Sequence, residues 1–168
     1  MIKIRGIAKG FFIVKLINLN DVKEKDYYLE SKRLRKEALE IAETYKGNPK
    51  RFSISNGIDM NVEITKSDIK TIVSKNTQDN LFNAVKNAWA KNLEGYLRGA
   101  TYEGWRKTAD GKHPESAYFA YYSRRLGANA YLCVRRMKSN GIYKPYAFID
   151  QQTFDNEKDS IIKEKPPL

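Results

Sequence analysis

Residues 117–150 read AYFAYYSRRLGANAYLCVRRMKSNGIYKPYAFID, and this stretch decides the fold class. Apolar and aromatic side chains alternate in three runs, Ala117–Arg125, Ala130–Met137 and Ile142–Asp150, separated by turn residues at Gly127 and Asn140-Gly141. Period-two alternation interrupted by such turns predicts an antiparallel meander. Ala100 to Trp105 predicts one more strand ahead of it, and Arg106 to Ser116 a polar, mobile loop. Pro145 has no N–H to give to a ladder, so the last strand is expected at a sheet edge.

Working back from the meander, the pattern turns helical. Leu34, Ala38, Ile41, Ala42 and Tyr45 form one stripe of a helix over 29–46, which Gly47-Asn48-Pro49 ends. Residues 51–64 alternate around Asn56-Gly57 and predict a hairpin with a tight type I′ turn. Thr65 and Asp68 then form a capping box that opens a short helix carrying Ile69, Ile72 and Val73. A further helix, from about Thr77 through Tyr96, puts Leu81, Val85, Ala88, Trp89 and Leu93 on its inner face. Residues 1–20 predict an N-terminal hairpin, and 151–168 a loose polar tail. The whole is an α+β fold: one domain over 1–150, mainly helical over 29–98, with an antiparallel sheet over 100–150.

The net charge is +11. Its distribution is uneven: Arg98 to Lys138 hold nine Lys/Arg against three acids, while the residues from Gln151 onward hold three lysines against four acids. A concentrated basic region points to a polyanion, with RNA or another nucleic acid the expected partner. No apolar run approaches a membrane span, and no leader pattern is present, so no membrane partner and a cytoplasmic setting are expected. One cysteine and one histidine make no Cys/His metal set, and neither a glycine-rich phosphate loop nor a nucleophile elbow is found. Neither cofactor nor metal is expected, and Cys133 reads as a small buried hydrophobe.

Metal-free RNA cleavage needs a base for the 2′-hydroxyl, an acid for the leaving 5′-oxygen and cations for the phosphorane. His113 is the candidate acid–base group; the alternative is a solvated loop histidine. Arg124 and Arg125 end one strand, and Arg135 and Arg136 the next. Alternation lets one sheet face present one arginine from each pair, for example Arg124 with Arg135, as phosphate clamps or as a solvated, edge-guarding set. Tyr118 and Tyr122 share one face, Phe119 and Tyr121 the other; one side is core and the other is a candidate surface for stacking bases. Arg98, Arg106, Lys107 and Lys112 complete the candidate nucleic-acid contacts.

The succession LRKEALEIAETYKG, an Asn-Gly hairpin, EITKSDIKTIVSK, LFNAVKNAW and SAYFAYY resembles the third type of large polyvalent protein-associated domain. That is a phage and mobile-element family grouped with the barnase–EndoU–colicin–RelE-like nucleases. The likeness spans roughly residues 32–150. It implies helices ahead of a curved antiparallel sheet and, in the toxin members, metal-independent RNA cleavage. The end of the ITKSDIK helix, where the family places catalytic machinery, here holds Ser74 and Lys75, and Lys75 reads as a phosphorane-stabilising cation or as a helix C-terminal cation. Two positions where the family commonly has histidine carry Lys75 and Ala117. The expected function is an RNA-engaging domain of phage or mobile-element origin, with metal-independent endoribonuclease activity as the candidate chemistry and His113, Lys75, Arg124, Arg135 and Tyr122 carrying it. The alternative is a non-catalytic accessory protein of the same fold that blocks a nucleic acid or a host defence factor, with a nucleoprotein complex or cognate inhibitor as protein partner.

Overall fold

The structure is a computed structural model in which residues 26–164 are described. The expected N-terminal hairpin lies outside the described residues. Helix α1 (Tyr27–Glu43) buries Tyr27, Ser31, Leu34, Ala38 and Ala42, a stripe at helical spacing. A hairpin follows, β1 (Lys50–Ser55) with β2 (Asp59–Ile64), in register from Lys50 opposite Ile64 to Ser55 opposite Asp59. Its connection is therefore three residues, 56–58, and not the expected two-residue turn: Ile58 is pulled into the core at 4% exposure, and Gly57 takes a φ of 79° to allow it.

Helix α2 (Lys66–Ser74) begins with the expected reciprocal cap. The Thr65 side chain accepts from Asp68 N, and Asp68 Oδ2 accepts from Thr65 N at 2.8 Å. The helix expected to run on through Tyr96 is two, α3 (Asn80–Ala90) and α4 (Leu93–Gly99). Asn92 makes the break: its side chain accepts from Gly95 N and starts a new helix. Helix α3 is enclosed, with every residue from Phe82 to Ala90 buried.

Strands β3 (Thr101–Lys107), β4 (Glu115–Ser123), β5 (Ala128–Arg136) and β6 (Tyr143–Ile149) complete a curled six-stranded sheet in the order β1-β2-β6-β5-β4-β3. Two expectations are corrected. The sheet is mixed, because β6 joins β2 in parallel through Val62 and Tyr143. Pro145 therefore lies in an internal strand. It is tolerated because this parallel pairing ends before it and because a bulge interrupts the β5–β6 ladder beside it: Cys133 faces Ala147, Val134 faces Pro145, and Tyr146 is left unpaired between them.

Ala117 and Phe119 point to the helices and join the main core, while Tyr118, Ala120, Tyr131 and Cys133 point the other way. Tyr96, fully buried, ties α4 to the sheet by aiming its hydroxyl at Phe119 O (2.9 Å) and Ala130 O (2.6 Å). The second face is not open. The segment expected to be a loose tail forms helix α5 (Gln151–Glu157), a 3-10 turn (Lys158–Ser160) and a bridge from Ile162 to Trp105. Phe154, 5% exposed, stacks on Tyr131 with ring centres 3.9 Å apart, so this segment covers the face that alternation had left available.

Candidate functional site

His113 stands on the turn between β3 and β4, and this loop is tied down, contrary to the expected mobile one. Thr108 N donates to Pro114 O at 2.9 Å, and Lys138 N, from the β5–β6 turn, donates to Lys112 O at 2.9 Å. Asp110 organises the interior of the loop. Its Oδ1 accepts from Lys112 N at 2.9 Å, and its Oδ2 lies 2.8 Å from His113 Nδ1. A carboxylate only accepts, so the neutral ring holds its proton on Nδ1 and keeps Nε2 as the free lone pair. The His113 hydrogen bond, followed by the Lys112 N–H, holds the Asp110 carboxyl below its ordinary range.

Arg135, near the end of β5, faces the same cleft. Its guanidinium lies 3.5 Å from the centre of the Tyr146 ring, and Nη1 is 3.9 Å from Asp110 Oδ2. Its Nε is buried without a hydrogen-bond partner among the described residues. Tyr146 is able to serve as this platform because it is the extra residue of the bulge, 41% exposed and outside the ladder register. Lys75 caps α2 from the other direction. Its Nζ lies 4.2 Å from the Tyr146 ring centre and 3.4 Å from Tyr146 O. Tyr146 is thus in contact with two cations.

The cleft encloses about 250 Å³ between Thr71, Asp110, His113, Arg135, Lys144 and Tyr146. Lys144, cross-strand from Arg135, is neutralised by Asp68 (3.0 Å) and Glu63 (3.5 Å). Arg135 has only the longer Asp110 contact, and Lys75 has no acidic partner among the described residues. Among the lining side chains the cationic character therefore rests on Arg135, with Lys75 adjoining through Tyr146. Behind them Lys86, 2% exposed, donates from Nζ to the carbonyl of Lys75 and holds the end of α2 against α3. No group of three His, Cys, Asp or Glu able to hold a metal occurs among the described residues. No helix among them is long and apolar enough to cross a membrane.

Of the expected site residues, His113 and Arg135 line this cleft, Lys75 meets Arg135 at the Tyr146 ring, and Lys112 lines an adjoining depression with Lys138 and Met137. The others do not join them. Arg124 follows β4 at the opposite end of a ladder in which Arg135 faces Ser116. At about 3.3 Å per residue, the eight residues from Ser116 to Arg124 put it roughly 26 Å away along the strand. Tyr122, 60% exposed, is at that far end too, and Arg125 is bonded to Tyr27. Tyr118 is buried beneath α5, where its hydroxyl accepts from Arg106 Nε (2.6 Å) and donates to Glu157 (3.1 Å). The expected stacking face and the Arg106 contact are therefore taken up inside the molecule. Arg136 is paired with Glu115 at 2.6 Å, and Arg98 with Glu94 at 2.7 Å; Lys107 is exposed at the end of β3.

Asp110, Lys144, Thr71 and Tyr146 were not foreseen. The Asp-Gly-Lys-His spacing carried a signal for the first, since an Asp three residues before a His suits a side-chain-closed turn. Comparison with protein-family models, with characterised proteins and with solved structures found no significant match.

Proposed function

We propose that the cleft lined by His113 and Arg135, with Lys75 beside it on Tyr146, holds a phosphodiester of single-stranded RNA and cleaves it without a metal ion. The observation that carries this reading is the Asp110–His113 contact. It leaves Nε2 as a base in a cleft that Arg135 lines beside Tyr146, together with Thr71 and a Lys144 paired to Asp68, and Lys75 approaches the same Tyr146 ring. In the reaction the 2′-oxygen attacks phosphorus as its proton passes to Nε2 of His113. Arg135 binds the non-bridging oxygens through its fork, and Lys75 adds charge stabilisation. The bond to the 5′-oxygen breaks, and that oxygen takes its proton from the far side of the cleft, where the Tyr146 hydroxyl and the Lys75 ammonium are the available donors. The finer fold assignment, to the barnase–EndoU–colicin–RelE-like group, and the phage or mobile-element setting belong to the same proposal. Support comes from helices preceding a curled sheet and from the sequence succession noted above.

A second reading, a grip without cleavage that blocks a nucleic acid or a host factor, is favoured by one observation. The chain has a single histidine, so acid and base cannot both be imidazoles.

Incubation of the protein with end-labelled single-stranded RNA in EDTA, beside His113→Ala and Arg135→Ala, separates the two. Cleavage to 2′,3′-cyclic ends, lost by about a hundred-fold or more in His113→Ala, is expected from the removal of a general base. Intact RNA with salt-sensitive binding that Arg135→Ala weakens would select the second reading. Neither cleavage nor binding would overturn both.

A further inference from the structure

The cleft does not end at its own walls. Thr71 also lines a larger groove, about 630 Å³, that runs along the outer side of α2. One wall is the solvent face of that helix, with Lys66, Lys70 and Ser74 one turn apart. The other is the turn after α1, with Tyr45, Lys46 and Pro49. At the opposite side of the cleft His113 is shared with the depression of about 590 Å³ that holds Lys112 and Lys138. Three concavities thus adjoin in series, each lined by cationic side chains.

The groove along α2 is strongly cationic in its own right. Lys46, Lys66 and Lys70 surround a single acid, Glu43, whose carboxyl is drawn down first by the Lys66 hydrogen bond and then by Lys46 and Lys70. Lys66 pairs with it at 2.6 Å, whereas Lys46 and Lys70 make no salt bridge to a described residue. An ordinary solvated surface intersperses both signs. Here two exposed lysines flank a half-buried tyrosine and a proline. Cations beside an apolar floor are the combination that a charged backbone bearing flat bases requires.

Resting on the reading of the cleft given above, we infer that the groove along α2 is a second subsite for the same RNA strand, holding the nucleotides next to the scissile phosphate. Lys46 and Lys70 contact phosphates there, and Tyr45 with Pro49 offers the surface for a base. The occupant is unpaired RNA, because a base can lie on Tyr45 only when it has left a duplex.

The test is binding to fluorescein-labelled, non-cleavable 2′-O-methyl RNA of three and of ten nucleotides, followed by anisotropy at several salt concentrations. Wild type, Lys46→Gln/Lys70→Gln and Arg135→Ala are compared, with thermal melts to establish that each is folded. The double variant is expected to lose about ten-fold in affinity for the ten-mer, with its log–log salt slope reduced by about 1.4 for two phosphate contacts at 0.7 each. Its affinity for the three-mer should stay within about two-fold. Unchanged ten-mer binding in the double variant, alongside weakened binding in Arg135→Ala, would overturn the second subsite and leave the cleft standing. Failure of the wild type to bind either RNA would overturn the cleft and the subsite together.

Discussion

Lys86→Met offers a measurement whose sign follows directly from burial. Lys86 is 2% exposed, its one hydrogen bond goes to the carbonyl of Lys75, and burial, with the charges of Arg35 and Lys75 adding, lowers its pKa from 10.5 to about 8. At about 1.36 kcal/mol per pH unit, holding that charge at neutral pH costs the fold about 3 kcal/mol. The unfolded chain keeps this proton up to pH 10.5 and the folded chain releases it near 8, so the unfolded state binds more protons between them and stability rises with pH. From pH 7 to pH 9.5 the recovered part amounts to about 2 kcal/mol. Methionine is similar in shape and removes the charge, but it leaves the Lys75 carbonyl unpaired, a loss of about 1–3 kcal/mol. At pH 7 the net effect is then between about 0 and 2 kcal/mol in the variant's favour, too wide a range for a single-pH comparison to be informative. The dependence on pH is what discriminates. In urea unfolding followed by the fluorescence of the buried Trp89 and Trp105, the variant's advantage over wild type should fall by about 2 kcal/mol between pH 7 and 9.5. Comparison at each pH cancels groups common to both chains, such as Cys133, whose thiol burial pushes up. A difference that stays flat across this range would refute the reasoning.

Three further outcomes are expected. Arg135→Lys keeps the charge but loses the fork and the flat contact with Tyr146, and should weaken RNA binding about ten-fold in the anisotropy assay; unchanged affinity would count against the stacked guanidinium. Phe154→Ala removes the ring stacked on Tyr131 and should cost about 3–5 kcal/mol in urea unfolding; a loss below 1 kcal/mol would mean α5 hardly contributes to the fold. Gly57→Ala should lower the melting temperature more than Gly47→Ala, because both have positive φ but only at Gly57 would the new Cβ lie 2.8 Å from the Cβ of Tyr102. Equal losses would mean that the steric contact is relieved.

Much of the local structure was legible in the sequence. The Thr65–Asp68 capping box, the Leu34–Ala38–Ala42 stripe of α1 and the alternation of β4 and β5 are local patterns that form as their spacing predicts, although α1 ends at Glu43 and leaves Tyr45 in the turn beyond it. What escaped depends on pairing between distant segments. Nothing within residues 142–150 says that Tyr143 meets Val62, so Pro145 read as an edge marker and the bulge that frees Tyr146 was invisible. The residues from Gln151 onward are polar enough to suggest a loose end. Yet Phe154 alone, set on one face of a short capped helix, finds Tyr118 and Tyr131 to cover. Arg124 and Arg135 were grouped as candidates on one sheet face although antiparallel pairing already keeps them from being direct partners, and the register sends them to opposite ends of the ladder. His113, Lys75 and Arg135 were singled out as separate candidates, and only the fold shows that Arg135 lines one cleft with His113 and shares the Tyr146 ring with Lys75.

The bridge between Ile162 and Trp105 also bears on how copies of this protein meet one another. An open sheet has two rims where a stranger's backbone can add on and begin an aggregate. At β3 part of the rim is already occupied, since Trp105 N and O are both bonded to Ile162, at 2.9 and 2.7 Å. Among the described residues the other rim is β1, which starts with Lys50 and Arg51 and exposes Ser53 and Ser55. Lys50 and Arg51 are paired with Glu94 and Glu63, so what β1 offers a newcomer is ion pairs and hydroxyls, which must be desolvated before a strand can add. A sheet finished this way offers another backbone little free ladder at β3, where strand-by-strand association would begin.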